Sequence, residues 1–190
     1  SSGEFSHWGT YGSGNSEYDL PVGISHDNVG NIYVSDFWNR RILKTSSEGD
    51  FIAEIGVPGQ YFMKNPYGAA TDRMGNIYVA DTDNHRGIRY YSSGNYLGHW
   101  GSIGSEPGQL RAPRGVCVNS TGSVLVADTQ NSRIQVFSPS GTYQTQWSSY
   151  WPYDLCVNST DHVYVVSPNN EIRIFSPQGT QISTWGSYGS

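Results

Sequence analysis

Three carboxylates recur along the chain, each followed five residues later by an arginine: Asp36 with Arg41, Asp81 with Arg86, and Asp128 with Arg133. A ring of such acids around a channel could hold a metal ion. Alternatively, each acid could accept N–H groups from its own turn and pair with its own arginine, fixing that turn. The distribution favours the second reading. The fourth copy of the surrounding pattern carries Ser167 and Glu171 at these places, so acid and arginine are lost together. Other chemistry has little to build on. His7, His26, His85, His99 and His162 show no metal-ligand spacing with a second histidine. No Gly-x-Ser-x-Gly elbow and no phosphate loop is present. The expectation is a non-enzyme with no metal and no cofactor.

A repeat positions these residues. Gly75-Asn76-Ile77-Tyr78-Val79-Ala80-Asp81 is preceded 45 residues earlier by Gly30-Asn31-Ile32-Tyr33-Val34-Ser35-Asp36. It is followed 47 residues later by Gly122-Ser123-Val124-Leu125-Val126-Ala127-Asp128, and a worn copy runs from Asp161 to Ser167. Each copy is a turn, then β-branched and aromatic residues, which reads as a short strand, b. A Pro-x-Gly entry and an apolar strand, a, come before it, at Pro21, Pro66, Pro113 and Pro152, the last having Asp154 for the glycine. An Asn/Arg turn then leads into strand c. A glycine turn opens strand d, which ends six residues on at a large side chain: Gly49 to Ile55, Gly94 to Trp100, Gly141 to Trp147 and Gly179 to Trp185. Four short strands per repeat of roughly 40–45 residues is the layout of a propeller blade.

The motifs Pro-x-Gly, Gly-Asn-Ile-Tyr-Val-Ala-Asp and Asp-Thr-x-Asn-x-Arg resemble the NHL repeat family, over nearly the whole chain. The resemblance implies an all-β propeller built of four-stranded blades, typically six in a ring. The expected division is residues 1–20 (strand d of a preceding blade and a linker), then repeats at 21–65, 66–112, 113–151 and 152–190. It also implies that one face is used for peptides, proteins or RNA. Some similar propellers are lyases or lactonases with a metal on the axis. Those need inward His or acidic ligands, where this chain has mostly apolar and small residues.

Ser1 to Gly9 matches Ser92 to Gly101 one residue short, so a spare d strand is expected at the start. Three arrangements are compatible with it: a piece of a longer propeller or array, a unit whose spare strand completes a neighbour's blade, or a small closed ring with one frayed end. An unpaired strand seeks a partner, and a head-to-tail contact that does not close makes a filament.

The d–a and b–c loops of a propeller emerge on one face. Here they carry Phe37, Trp38, Tyr61, Phe62, Met63, Tyr67, His85, Arg111, Arg114, Tyr150, Trp151 and Tyr153. Aromatics gathered with arginine suggest a protein- or peptide-binding surface, unless the long loops merely build small cores of their own. The four d-strand tryptophans (Trp8, Trp100, Trp147, Trp185) are expected to pack between blades. Cys117 and Cys156 fall at equivalent places in neighbouring blades, where other repeats have Ser25 and Ala70, so they are expected to stay unpaired.

Asn119-Ser120-Thr121 and Asn158-Ser159-Thr160 are sequons in equivalent turns. They are either polar turns inherited by duplication or glycosylated sites, the latter favouring an extracellular over a cytoplasmic protein. A net charge of -5 disfavours nucleic acid as a partner, and no apolar run approaches the roughly 20 residues of a membrane span. The sequence thus points to an interaction scaffold. A glycosylated extracellular assembly joined by strand exchange stands second, and a metal-dependent lyase or hydrolase a distant third.

Overall fold

The computed structural model describes residues 7–56 and 62–186. Two short strands, β1 (Thr10–Tyr11) and β2 (Glu17–Tyr18), pair in parallel ahead of the first blade. Blade 1 comprises β3 (Pro21–His26), β4 (Ile32–Asp36), β5 (Arg41–Thr45) and β6 (Phe51–Ile55). Blade 2 comprises β7 (Pro66–Thr71), β8 (Ile77–Asp81), β9 (Arg86–Tyr90) and β10 (Tyr96–Trp100). Blade 3 comprises β11 (Val116–Val118), β12 (Val124–Asp128), β13 (Arg133–Phe137) and β14 (Tyr143–Ser148). Blade 4 comprises β15 (Asp154–Val157), β16 (Val163–Ser167), β17 (Glu171–Phe175) and β18 (Gln181–Trp185). Each blade is a four-stranded antiparallel sheet in sequence order, and the four together form a β-propeller. No described helix is long and apolar enough to cross a membrane.

The side-chain period of two along a strand explains where the cores lie. A blade has two apolar faces, so the buried clusters fall between blades. Tyr33, Ile42 and Ile55 of blade 1 meet Ile77, Val79 and Ile88 of blade 2. Tyr78 and Trp100 meet Val124, Val126 and Phe137. Leu125, Ile134 and Val136 meet Val163, Val165 and Phe175. The residue that ends strand d reaches over the glycine turn of the following blade. A Cβ on Gly141 would fall 2.6 Å from Trp100, and one on Gly179 2.5 Å from Trp147. Both glycines sit near φ +85°, a region other L-residues avoid.

Trp8 lies over Gly49 in the same way and packs on Tyr18, 6.3 Å between rings. It therefore occupies the place of a preceding blade's last residue. Most of the expected N-terminal d strand (residues 1–6) lies outside the described residues. The outer faces of the end blades are open: Ile24 is 71% exposed on blade 1, and Ile182 and Trp185 are each 54% exposed on blade 4.

The loops that join a d strand to the next a strand are built alike in the first three repeats. Each places one apolar plug against the glycine that follows strand d: Tyr18 against Gly9, Met63 against Gly56 and Leu110 against Gly101. Met63 is fully buried, so it belongs to this small loop core and not to the exposed aromatic surface expected from sequence. The residue before each entry proline (Leu20, Asn65, Ala112, Trp151) has φ between 41° and 58°. That is unusual for non-glycine residues and more so ahead of proline, and it turns the chain sharply into strand a.

Candidate functional site

The Asp–Arg pairs are buried fasteners for the d–a loops. In blade 3, Asp128 is fully buried and accepts from the Nε of Arg133 at 2.7 Å, from Asn131 at 2.8 Å and from the Arg111 amide at 2.7 Å. The remaining guanidinium N–H groups of Arg133 donate to the carbonyls of Ser105, Glu106 and Gln109. Blade 1 repeats this design: Arg41 meets Asp36 at 2.8 Å and donates to the carbonyls of Ser13, Gly14 and Glu17. Arg86 meets Asp81 at 2.7 Å and donates to the Phe62 carbonyl. Every acid is thus consumed by its own turn and by the loop that lies over it. Among the described residues no group of three or more His, Cys, Asp or Glu could hold a metal ion.

At the opposite end of the blades the a–b turns carry a second repeated cluster. Asp27 accepts from the amides of Val29 and Asn31, the Asn31 side chain and the Tyr33 hydroxyl. Burial opposes its charge, but these donors win and hold its carboxyl below the usual range. Asp72 receives the same set, and burial together with the Asp72 charge pushes Tyr78 up to about 12. Asn119 and Asn158 fill the same place in repeats 3 and 4. Their side-chain oxygens accept from the Thr121 and Ser123 amides and from the Thr160 and His162 amides. Each threonine hydroxyl also donates to its asparagine, so the sequon residues are the ones that build the turn.

The axial channel is lined by the a strands, including Gly23, Gly68, Ala69, Ala70, Cys117, Leu155 and Cys156. Both cysteines are unpaired thiols; burial, with the neighbouring Cys156 and Asp154 adding, pushes the Cys117 thiol far up. Asp154 stands where the other repeats have glycine, against Gly115, and burial raises its carboxyl above the ordinary range.

The loop face brings several predicted residues together. Trp38 packs edge-on against Phe37 at 5.0 Å, and Phe37 against Tyr67 at 6.3 Å. The Arg114 guanidinium lies over the Tyr67 ring at 5.1 Å and over the Tyr153 ring at 4.4 Å. One line of side chains in contact therefore crosses from the β4–β5 turn of blade 1 to the Pro-x-Gly x residues of blades 2, 3 and 4. Phe62 lies apart from it, beneath Arg40 at 5.4 Å. Arg111 is exposed, and Trp151 is exposed at a left-handed backbone position. His85 is placed differently: its Nδ1 accepts the Ala112 amide at 3.0 Å, tying the next loop down. Tyr61 lies outside the described residues.

Sequence reasoning missed Arg40 and Lys64. Arg40 sits beside the fastener Arg41, and only one of two adjacent arginines can turn inward to the acid. That adjacency was the available signal.

Four antiparallel sheets about an axis, joined by loops that gather on one face, define a repeat propeller. The NHL repeat model matches residues 64–86 and 110–137, so the chain is a β-propeller that carries NHL repeats. No curated protein sequence matches it. Among solved structures it is similar to a streptogramin B lyase (16% identity, TM-score 0.70), covering 88% of this chain and 55% of that one. The virginiamycin B lyase of Staphylococcus aureus gives 15% identity and a TM-score of 0.69, over 90% of this chain and 56% of that one. A gluconolactonase from Xanthomonas campestris gives 16% and 0.71, over 88% and 62%. The chain thus spans 55% to 62% of the length of these proteins, and at such identities the likeness is one of fold.

Proposed function

We propose that the protein is a non-catalytic interaction scaffold that binds a protein or peptide partner through its loop face. The observation that carries this reading is the line Trp38–Phe37–Tyr67–Arg114–Tyr153, which presents aromatic and cationic surface across all four blades. Aromatics and arginine are the residue types that dominate binding energy in protein interfaces. The acids that might have served catalysis are held in loop fasteners. Selection of displayed peptides against the purified protein tests the reading. Enriched peptides should lose at least tenfold in affinity on Tyr67→Ala or Tyr153→Ala, as expected for interface hot spots, and nothing on Arg73→Ala at the far end of the blades. Failure to enrich, or binding indifferent to both tyrosines, would overturn it.

A second reading, a structural subunit assembling head to tail, is favoured by the open outer faces of blades 1 and 4. The positions exposed on blade 4 are those that cover a following blade elsewhere in the chain. Size-exclusion chromatography with light scattering should then show mass rising with concentration, and Trp185→Glu should abolish the rise. A constant monomer mass of about 21 kDa would exclude it.

A further inference from the structure

The partner's chemistry can be read from charge placement on the loop face. The chain is acidic overall, with 16 Asp and Glu against 11 Lys and Arg. Most of its cations are spent internally. Arg41, Arg86 and Arg133 pair with the turn acids, Lys44 with Asp27 and Arg173 with Glu171, and Arg89 donates to the Pro139 carbonyl.

Among the described residues, Arg40, Lys64, Arg73, Arg111 and Arg114 make no side-chain hydrogen bond or ion pair. Four of these five stand on the loop face, and only Arg73 lies in a turn at the opposite end. Lys64 and Arg111 occupy equivalent loop positions, their own amides held by Asp81 and Asp128. Of the acids on this face, Glu171 pairs with Arg173, Glu17 accepts from the Gly14 amide and Asp83 from the Asn65 side chain. Asp19 lies at the blade 1 end, Asp154 lines the channel, and Glu106, in the Arg111 loop, is the exposed acid nearest in sequence to these cations.

An acidic protein has thus concentrated its unneutralised cations beside a line of aromatics. The Arg114 guanidinium lies over two tyrosine rings with none of its own N–H groups hydrogen-bonded, so little side-chain entropy remains to be lost when it meets a carboxylate. We infer that the loop face takes an acidic peptide segment carrying at least one aromatic residue, the carboxylates meeting Arg111 and Arg114 over blades 2 and 3. This deepens the scaffold reading and rests on it.

Fluorescence anisotropy with two labelled peptides tests it: one with glutamates flanking a tryptophan, and a twin with glutamine in place of glutamate. The acidic peptide should bind, and weaken as salt rises. Arg111→Gln and Arg114→Gln should each cost roughly tenfold, as for a lost charged hydrogen bond, while Arg73→Gln should change nothing. The twin should bind roughly a hundredfold more weakly than the acidic peptide. Equal binding of the two peptides, still sensitive to Tyr67→Ala, would overturn the charge inference and leave the loop-face reading standing. No binding of either peptide, alongside retained binding of a display-selected neutral peptide, would do the same. Tighter binding of an oligouridylate or an anionic lipid vesicle than of the acidic peptide would also overturn it. Arg111 and Lys64 are exposed, so Arg111→Gln and Lys64→Gln keep the test open if Arg114→Gln disturbs the stacked tyrosines.

Discussion

Blades 3 and 4 are the same four strands in the same register, yet they are fastened differently. In blade 3, Asp128 faces Arg133 across the hairpin, and that arginine holds three carbonyls of the loop above it. In blade 4 the corresponding pair is Ser167 and Glu171. Ser167 donates to the Tyr150 carbonyl, and Arg173 pairs instead with Glu171, two residues away on its own strand. The loops explain the difference. Trp100 and the entry Pro113 are thirteen positions apart, whereas Trp147 and Pro152 are five apart. A long loop contributes many backbone groups that would otherwise be buried without partners, and a charged fastener satisfies them. A short loop leaves a hydroxyl enough to do. The acid and arginine therefore vary with loop length, as expected of a structural device.

The comparison can be broken most severely at the fasteners. Arg133→Ala should destabilise the protein by about 3–5 kcal/mol, because it leaves a buried carboxylate unpaired. Arg173→Ala, whose partner Glu171 is partly solvated, should cost about 1 kcal/mol or less. Urea unfolding of the two variants gives the contrast, and equal effects would remove the argument. At the next level, Trp147→Ala should cost about 2–3 kcal/mol, short of a full core value because Trp147 is only half-buried. Trp185→Ala should stay under about 1 kcal/mol, since that ring is 54% exposed.

A smaller effect sharpens the account from the other side. Ser167→Asp alone should cost about 2 kcal/mol by burying an unpaired charge, and adding Glu171→Arg should recover part of that loss. A double-mutant cycle measures the coupling. The smallest effect concerns Asp154, whose folded-state carboxyl is raised by burial. Its ionisation penalises the folded state above that raised value and vanishes below the unfolded value near 4. Asp154→Asn should therefore stabilise the protein at pH 7 and leave it unchanged near pH 3, as thermal melts at the two pH values would show.

The blade pattern was legible because each strand alternates faces and each turn repeats its glycine or asparagine. Trp8, Trp100 and Trp147 were legible as packing residues for the same reason, although the glycine turn that each covers lies some 30 or more residues further along the chain, whereas Trp185, expected to pack likewise, is 54% exposed. The loop plugs Tyr18, Met63 and Leu110 were not, since three unlike side chains share no motif. His85 read as a surface residue because its amide partner, Ala112, lies in the next repeat. The pairing of Arg114 with Tyr67 and Tyr153 depends on three blades meeting at the axis, which no local pattern encodes.

The scaffold reading meets its most direct test in nuclear magnetic resonance of the protein titrated with the acidic peptide. The predicted result is shifts confined to the loop face: the Trp38 indole, the Arg111 and Arg114 guanidinium groups and the backbone around Tyr67 and Tyr153. Shifts centred instead on the Asp72–Asn76 and Asn119–Ser123 turns, or on the outer face of blade 4, would contradict it.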